Sequence, residues 1–206
     1  MLHHSTVEPA TFKLAQEIFK IPFIAEKFAL AGGTSLALQI GHRTSIDLDL
    51  FSPNQFSTKE TELILAAHTK WSYQPYSMSN HMLFCFIDKI KCDFVHEPFP
   101  FINPPFVKDG IRLYSVADIA AMKLHTVCGR GKKKDFFDIF ALLKLYTWKE
   151  LLYWFEVKYG ASQLFFLWKS ITYFADADED PDIIGHSPYD VTWQEVKQAI
   201  ISTCRA

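Results

Sequence analysis

No apolar run in this 206-residue chain is longer than six residues, the longest being Met82 to Ile87. A membrane-spanning helix needs about 20, so none is expected. The first residues, Met1-Leu2-His3-His4-Ser5, lack the charged and apolar regions of a secretory signal, and a cytoplasmic location is expected. Cysteine is sparse. Cys85, Cys92, Cys128 and Cys204 form no C-x-x-C pair, which argues against a zinc ribbon or a thioredoxin motif. Cys85 and Cys92 sit among apolar residues and read as small core side chains with reduced thiols. An excess of one charge is also missing: 21 basic against 23 acidic residues give a net charge of −2. That rules against a general nucleic-acid coat and leaves room for a local basic patch. The chain has no G-x-x-x-x-G-K-[ST], no G-x-S-x-G and no H-E-x-x-H. A P-loop kinase is thereby excluded, and neither a serine nucleophile elbow nor this zinc spacing is present.

Aromatic residues are plentiful, at 16% with nineteen Phe, enough for a large core. Apolar residues at helical spacing predict a helix over 8–20. A short strand over 28–31 ends at Gly32-Gly33, and a short helix follows over 34–40. Strict alternation predicts a strand over 45–51. A helix over 58–68 precedes three strands, 71–78, 81–87 and 89–96, with turns at Ser79-Asn80 and Asp88-Lys89. Prolines 98, 100, 104 and 105 break regular structure before a short strand over 111–114. From Val116 the pattern is helical: 116–128, 135–145, 148–158, 161–175 and 192–204, the last opened by a Thr192/Glu195 capping box. The aromatic residues Trp148, Tyr153, Trp154, Phe155, Phe165, Phe166 and Trp168 read as helix packing. The expected division is an α/β core over 1–115 and a helical C-terminal region over 116–206, an α+β fold.

The chemistry concentrates in Gly32-Gly33-Thr34-Ser35 and in Asp47-Leu48-Asp49. Aspartates at i and i+2 of a strand project from one face. So close together they repel, and a divalent cation between them removes the conflict. Mg²⁺ suits such a site, since it takes oxygen ligands and usually keeps water and substrate phosphates; Mn²⁺ is the alternative ion. Paired glycines let backbone approach a ligand, and the helix they open points free N–H groups at phosphate, with the Thr34 and Ser35 hydroxyls as further donors. Asp93 alternates along Ile90 to Val95, and it completes a triad if its strand neighbours the first. The triad could hold two metals, or one metal and a base. Arg43, ahead of the acidic strand, could reach phosphate.

The order of Gly-Gly, thirteen intervening residues, Asp-x-Asp and a lone strand Asp resembles the nucleotidyltransferase superfamily that includes DNA polymerase β. More narrowly, Leu30 to Phe51 (LAGGTSLALQIGHRTSIDLDLF) and Asp118 to Lys123, continued by Gly129 to Asp138 (GRGKKKDFFD), look like the AbiEii/AbiGii toxin family. The likeness covers about residues 25–145. In one departure, Thr34 stands where the superfamily often has Ser after the glycine turn. The resemblance implies a nucleotidyltransferase-fold mixed sheet with flanking helices. It implies transfer of a nucleotide from an NTP to an acceptor that is RNA, tRNA in particular, or a protein hydroxyl. It also implies a toxin of a toxin–antitoxin or phage-defence system with a cognate antitoxin. The rival reading is a protein of the same fold that binds nucleotide or a partner without turnover.

Lys123 falls on a helix, and in related nucleotidyltransferases a helical lysine contacts phosphate, so the resemblance gives Lys123 that role. Arg130-Gly131-Lys132-Lys133-Lys134 places four cations in five residues, suited to a triphosphate or an RNA backbone. The family context favours Lys134 as a phosphate contact. Asp135 complements the start of the next helix. Asp138, one turn later, has a base, a metal or Lys134 as candidate partners.

Overall fold

The computed structural model describes residues 1–205. Helices α1 (Pro9–Ile18) and α2 (Pro22–Lys27) come first, each opened by a proline that presets the first turn. Strand β1 (Ala29–Leu30), helix α3 (Gly32–Ile40), strand β2 (Leu48–Ser52) and helix α4 (Thr58–Ala66) follow. Next come the strands β3 (Tyr73–Met78), β4 (Met82–Ile87), β5 (Ile90–His96), β6 (Phe106–Lys108) and β7 (Ile111–Leu113). Six helices complete the chain: α5 (Val116–Gly129), α6 (Lys133–Leu143), α7 (Trp148–Tyr159), α8 (Leu164–Ser170), α9 (Ala175–Asp178) and α10 (Trp193–Arg205).

The strands form one seven-stranded mixed sheet in the order β3-β4-β5-β2-β1-β7-β6. β2 runs parallel to β5, and β1 parallel to β7; the remaining neighbours are antiparallel. Alternation splits each central strand between two faces. Leu48, Leu50, Cys92 and Phe94 point to one side, where they pack with Leu14, Ile18 and Ile24 of the first two helices and Leu65 of α4. Phe94 meets Phe28 edge to face at 5.4 Å. Burying each such ring is worth about 1.5–3 kcal/mol. On the other side, a second core joins Ala29, Ala31 and Leu36 to Tyr114 and the helices from α5 onward. Those helices leave the same face open over β3 and β4, where Tyr76 and Phe86 are exposed.

Local signals explain most boundaries. Gly41 adopts a left-handed φ of 74° and ends α3, turning the chain back toward β2. Asp88 and Lys89 take φ 50° and 68°, the two-residue turn that matches the twist of β4 and β5. Ser115 caps α5 by accepting from Asp118 N at 3.1 Å. Thr192 and Glu195 form the expected reciprocal cap, at 2.7 and 3.3 Å.

Several expectations need correction. The acidic strand starts at Leu48, not Ser45, because Ser45 bridges Val7 and the Asp47 carbonyl accepts the Thr34 hydroxyl. Asp47 therefore stands just before the strand rather than on it. The single helix over 161–175 is a 3-10 turn, then α8, then a bend before α9. Tyr153, Phe165 and Phe166 are exposed rather than part of the core, Trp168 is exposed but meets Trp148 edge to face at 5.8 Å, and Phe155 is fully buried. α2 and β6 lay outside the sequence pattern: six residues is too short for a helical period, and β6 exists by pairing with β7 across the Asp109-Gly110 turn.

Candidate active site

β2 and β5 pair in a register that sets Asp49 directly beside Asp93. With Asp47 they line one cavity of about 630 Å³. The N-terminus of α3 closes one edge. Gly32 has φ 64°, and a Cβ there would stand 2.0 Å from Asp49 Oδ2. A Cβ on Gly33 would stand 2.4 Å from a terminal nitrogen of Arg43. Both glycines are therefore required by close approach, one to a carboxylate and one to a guanidinium.

Thr34 and Ser35 are fully buried. The Thr34 hydroxyl donates to the Asp47 carbonyl and lies 2.8 Å from the Ser45 hydroxyl. The Ser35 hydroxyl accepts from the Gln39 amide at 3.1 Å. Their side chains hold the loop that carries Asp47, and the cavity edge at this turn is formed by Gly33.

Burial, and then the charge of Asp93, push the Asp49 carboxyl up from its ordinary value. Lys91 Nζ sits 2.5 Å from Asp93 Oδ2, and Lys134 Nζ sits 3.9 Å from Asp47. Asp49 has no such partner among the described residues. The carboxylates thus form an oxygen donor set with one member held against its charge. Among the described residues no three His, Cys, Asp or Glu side chains close around an ion unaided. An open set completed by phosphate oxygens is how Mg²⁺ is commonly held, and the residues fit that ion.

Behind the acids lies a buried ion network. Arg43 grips Asp138 twice, Nε to Oδ1 at 2.6 Å and a terminal nitrogen to Oδ2 at 2.9 Å. Lys123 Nζ lies 2.8 Å from Asp135 and 2.7 Å from Asp138. His42 Nε2 adds a third contact to Asp138 at 2.7 Å. Burial lowers the His42 pKa, so the neutral ring donates to Asp138. Arg43 and Lys123 border the cavity but are committed to carboxylates, and Asp138 contacts neither Lys134 nor the cavity. The expected partners of Asp138 are corrected accordingly. The basic run divides as well. Lys133 is buried against Asp182 at 2.9 Å, while Arg130 and Lys132 are exposed on the cavity rim.

Burial alone would raise the Asp138 pKa; the charges of Arg43 and Lys123 overcome it and hold the group well below the usual range. Its stabilisation is therefore present above the unfolded pKa near 4 and is lost as pH falls from there through the depressed folded value. Asp138→Asn should cost about 3–5 kcal/mol at neutral pH, since two buried cations lose their shared anion. Urea denaturation measures this, and the gap to the unsubstituted protein should narrow in acid.

Lys91, Tyr76 and Phe84 are among the cavity residues that escaped the sequence reading. Lys91 and Asp93 share an i, i+2 relation on a strand, a signal of the same kind as Asp47 and Asp49. Tyr76 and Phe84 gave none.

The sequence profile of the nucleotidyl transferase AbiEii toxin, type IV toxin–antitoxin system, matches residues 14–203. An uncharacterized protein of Aquifex aeolicus is 35% identical over 185 residues, 85% of each chain. A putative nucleotidyltransferase from H. pylori superposes over 96% of both chains with a TM-score of 0.52 at 15% identity. MenT4, a nucleotidyltransferase toxin from Mycobacterium tuberculosis, gives a TM-score of 0.53 at 12% identity, over 95% of this chain and 83% of its own. At such identities the two structures speak for the fold alone.

Proposed function

The chain belongs to the nucleotidyl transferase AbiEii toxin family, and from that premise we propose that it moves a nucleoside monophosphate from an NTP to a hydroxyl of RNA. The observation that carries this reading is the pairing of Asp49 with Asp93 beside the N-terminus of α3, in a cavity rimmed by cations.

In this reading, the free N–H groups at Gly32 and Gly33 receive phosphate oxygens, and Lys134 neutralises the triphosphate. Arg43, Lys123, Asp135 and Asp138 fix the wall behind it. Mg²⁺, or Mn²⁺, held by Asp47 and Asp49 would supply charge neutralisation on the phosphate oxygens. The acceptor oxygen attacks the α-phosphorus in line. Its bond to phosphorus forms as the bond from phosphorus to the β-bridging oxygen breaks, Asp93 takes the hydroxyl proton, and pyrophosphate leaves. Positioning and electrostatics do most of the work.

Incubation with each α-³²P-labelled NTP, Mg²⁺ and total cell extract should move label into nuclease-sensitive material. Label in protease-sensitive material would reassign the acceptor to protein, and no label in either would remove the reading. Growth arrest on expression, relieved by a neighbouring gene, tests the toxin role and its antitoxin.

Arg130 and Lys132 grip the acceptor backbone. Replacing both with Ala should weaken RNA binding at low salt and flatten the slope of log K against log salt by about 1.4, two single-strand contacts' worth. Lys133→Ala should leave that slope unchanged, because Lys133 is buried on Asp182.

A further inference from the structure

One row across the open face of the sheet reads Asp49, Asp93, Phe84, Tyr76. Asp49 pairs with Asp93, and Asp93 pairs with Phe84 on β4. At β3 the register shifts between Pro75 and Ser77, so Tyr76 is the extra residue of a bulge. Bulges re-aim side chains, and they gather next to active sites. This one brings the Tyr76 ring nearly parallel to Phe84, at 6.0 Å and 21°, and within 5.1 Å of Phe86. Its hydroxyl lies 3.4 Å from Asp93 Oδ1. Tyr76 nevertheless remains 49% exposed, and Phe86 37%. Three aromatic rings thus form an uncovered shelf that leads to the carboxylate best placed to take a proton.

The triphosphate side of the cavity is of opposite character. Arg43, Lys123 and Lys134 line it, whereas Lys91 is paired with Asp93 and Arg130 and Lys132 stand on the exposed rim, open to an acceptor backbone. A triphosphate belongs with the cations. A flat apolar group belongs on the rings, and whatever rests there presents its nearest hydroxyl to Asp93. We propose that Tyr76 and Phe84 bind the acceptor by stacking its unpaired terminal nucleobase, which sets the ribose hydroxyl of a single-stranded RNA end against Asp93. Aromatic stacking tolerates any base, since each has a π-face. The shelf would therefore select an unpaired end rather than a sequence. This proposal rests on the nucleotidyl-transfer reading of the same cavity and names the side from which the acceptor enters.

The test measures two affinities. A fluorescein-labelled single-stranded 10-mer RNA with a free 3′ end reports acceptor binding by anisotropy. Calorimetry with ATP, GTP, CTP and UTP in Mg²⁺ reports the triphosphate. Tyr76→Ala and Phe84→Ala should each weaken the 10-mer by about 5- to 150-fold, the range for one lost stack. NTP affinity should stay within about threefold. Tyr76→Phe keeps the ring and should bind RNA as the unsubstituted protein does. Tyr76 lies exposed on an edge strand, so Tyr76→Ala should melt normally, and it carries the test if Phe84→Ala does not fold. A fall in NTP affinity with unchanged RNA binding would assign the shelf to the incoming nucleotide and overturn the proposal. So would unchanged RNA binding in both variants, or an unsubstituted protein that ignores the 10-mer. RNA binding needs no turnover. A chain that bound the 10-mer through Tyr76 yet never transferred label would therefore support the shelf and sink the catalytic reading.

Discussion

Asp49→Asn is expected to lower nucleotidyl transfer by at least about 10³-fold while making the metal-free protein more stable. Asp47→Asn should lower activity comparably, with little change in stability. The two differ because their surroundings differ. Asp47 is half-buried near Lys134. The Asp49 carboxyl lies against the backbone of Gly32 and beside Asp93, and burial and that charge raise its pKa. The folded protein therefore holds this proton to higher pH than the unfolded chain does. Ionising Asp49 then costs stability as pH rises above the ordinary carboxylate range, and asparagine removes the cost. Transfer of labelled nucleotide and thermal melts with and without Mg²⁺ measure both effects. Mg²⁺ with NTP should raise the melting midpoint of the unsubstituted protein and leave that of Asp49→Asn unmoved. Full transfer by either variant would end the proposed mechanism.

The parts of the site that share a strand or a short loop were legible in the sequence. Alternation put Asp49 and Asp93 on polar faces, and the glycine pair marked a close backbone approach, which Gly32 makes to the Asp49 carboxylate and Gly33 to the Arg43 guanidinium. The mixed sheet with flanking helices followed from the resemblance, and the strands alone gave an α/β core with helices after it. What depends on distant pairing was not legible. Asp138 meets Arg43 across ninety-five positions, so its offset from Lys134 along a helix said nothing of its partner. Lys133 and Lys134 are neighbours in a run of like charges, yet helical geometry turns the first into a buried pair with Asp182 and leaves the second on the cavity rim. Tyr76 follows a proline in a strand with no clean alternation. Only the shift of register against β4 aims it at Asp93.

Asp93→Asn separates a base from a ligand. Its neighbours Cys92 and Phe94 are fully buried on the far side of β5, and the Asp93 side chain faces the cavity. There Lys91 holds one carboxylate oxygen, and the Tyr76 hydroxyl approaches the other. A base matters only in the chemical step. If Asp93 takes the acceptor proton, Asn should leave the affinity for Mg²⁺ with NTP within about threefold and slow single-turnover transfer by about 10²–10⁴-fold. If Asp93 acts chiefly as a ligand, affinity and rate should fall together. A surface acid would change neither. The geometry favours the first result. Asp93 stands at the junction of the acidic row and the aromatic shelf, whereas Asp49 and Asp47 lie on the cationic side where phosphate would sit. Lys91→Ala supplies the companion measurement. The Lys91 ammonium, 2.5 Å from one Asp93 oxygen, holds that carboxylate in its orientation toward the cavity. Its loss should slow single-turnover transfer while the affinity for Mg²⁺ with NTP stays within about threefold. An unchanged single-turnover rate in Lys91→Ala would count against Asp93 as the group that accepts the proton.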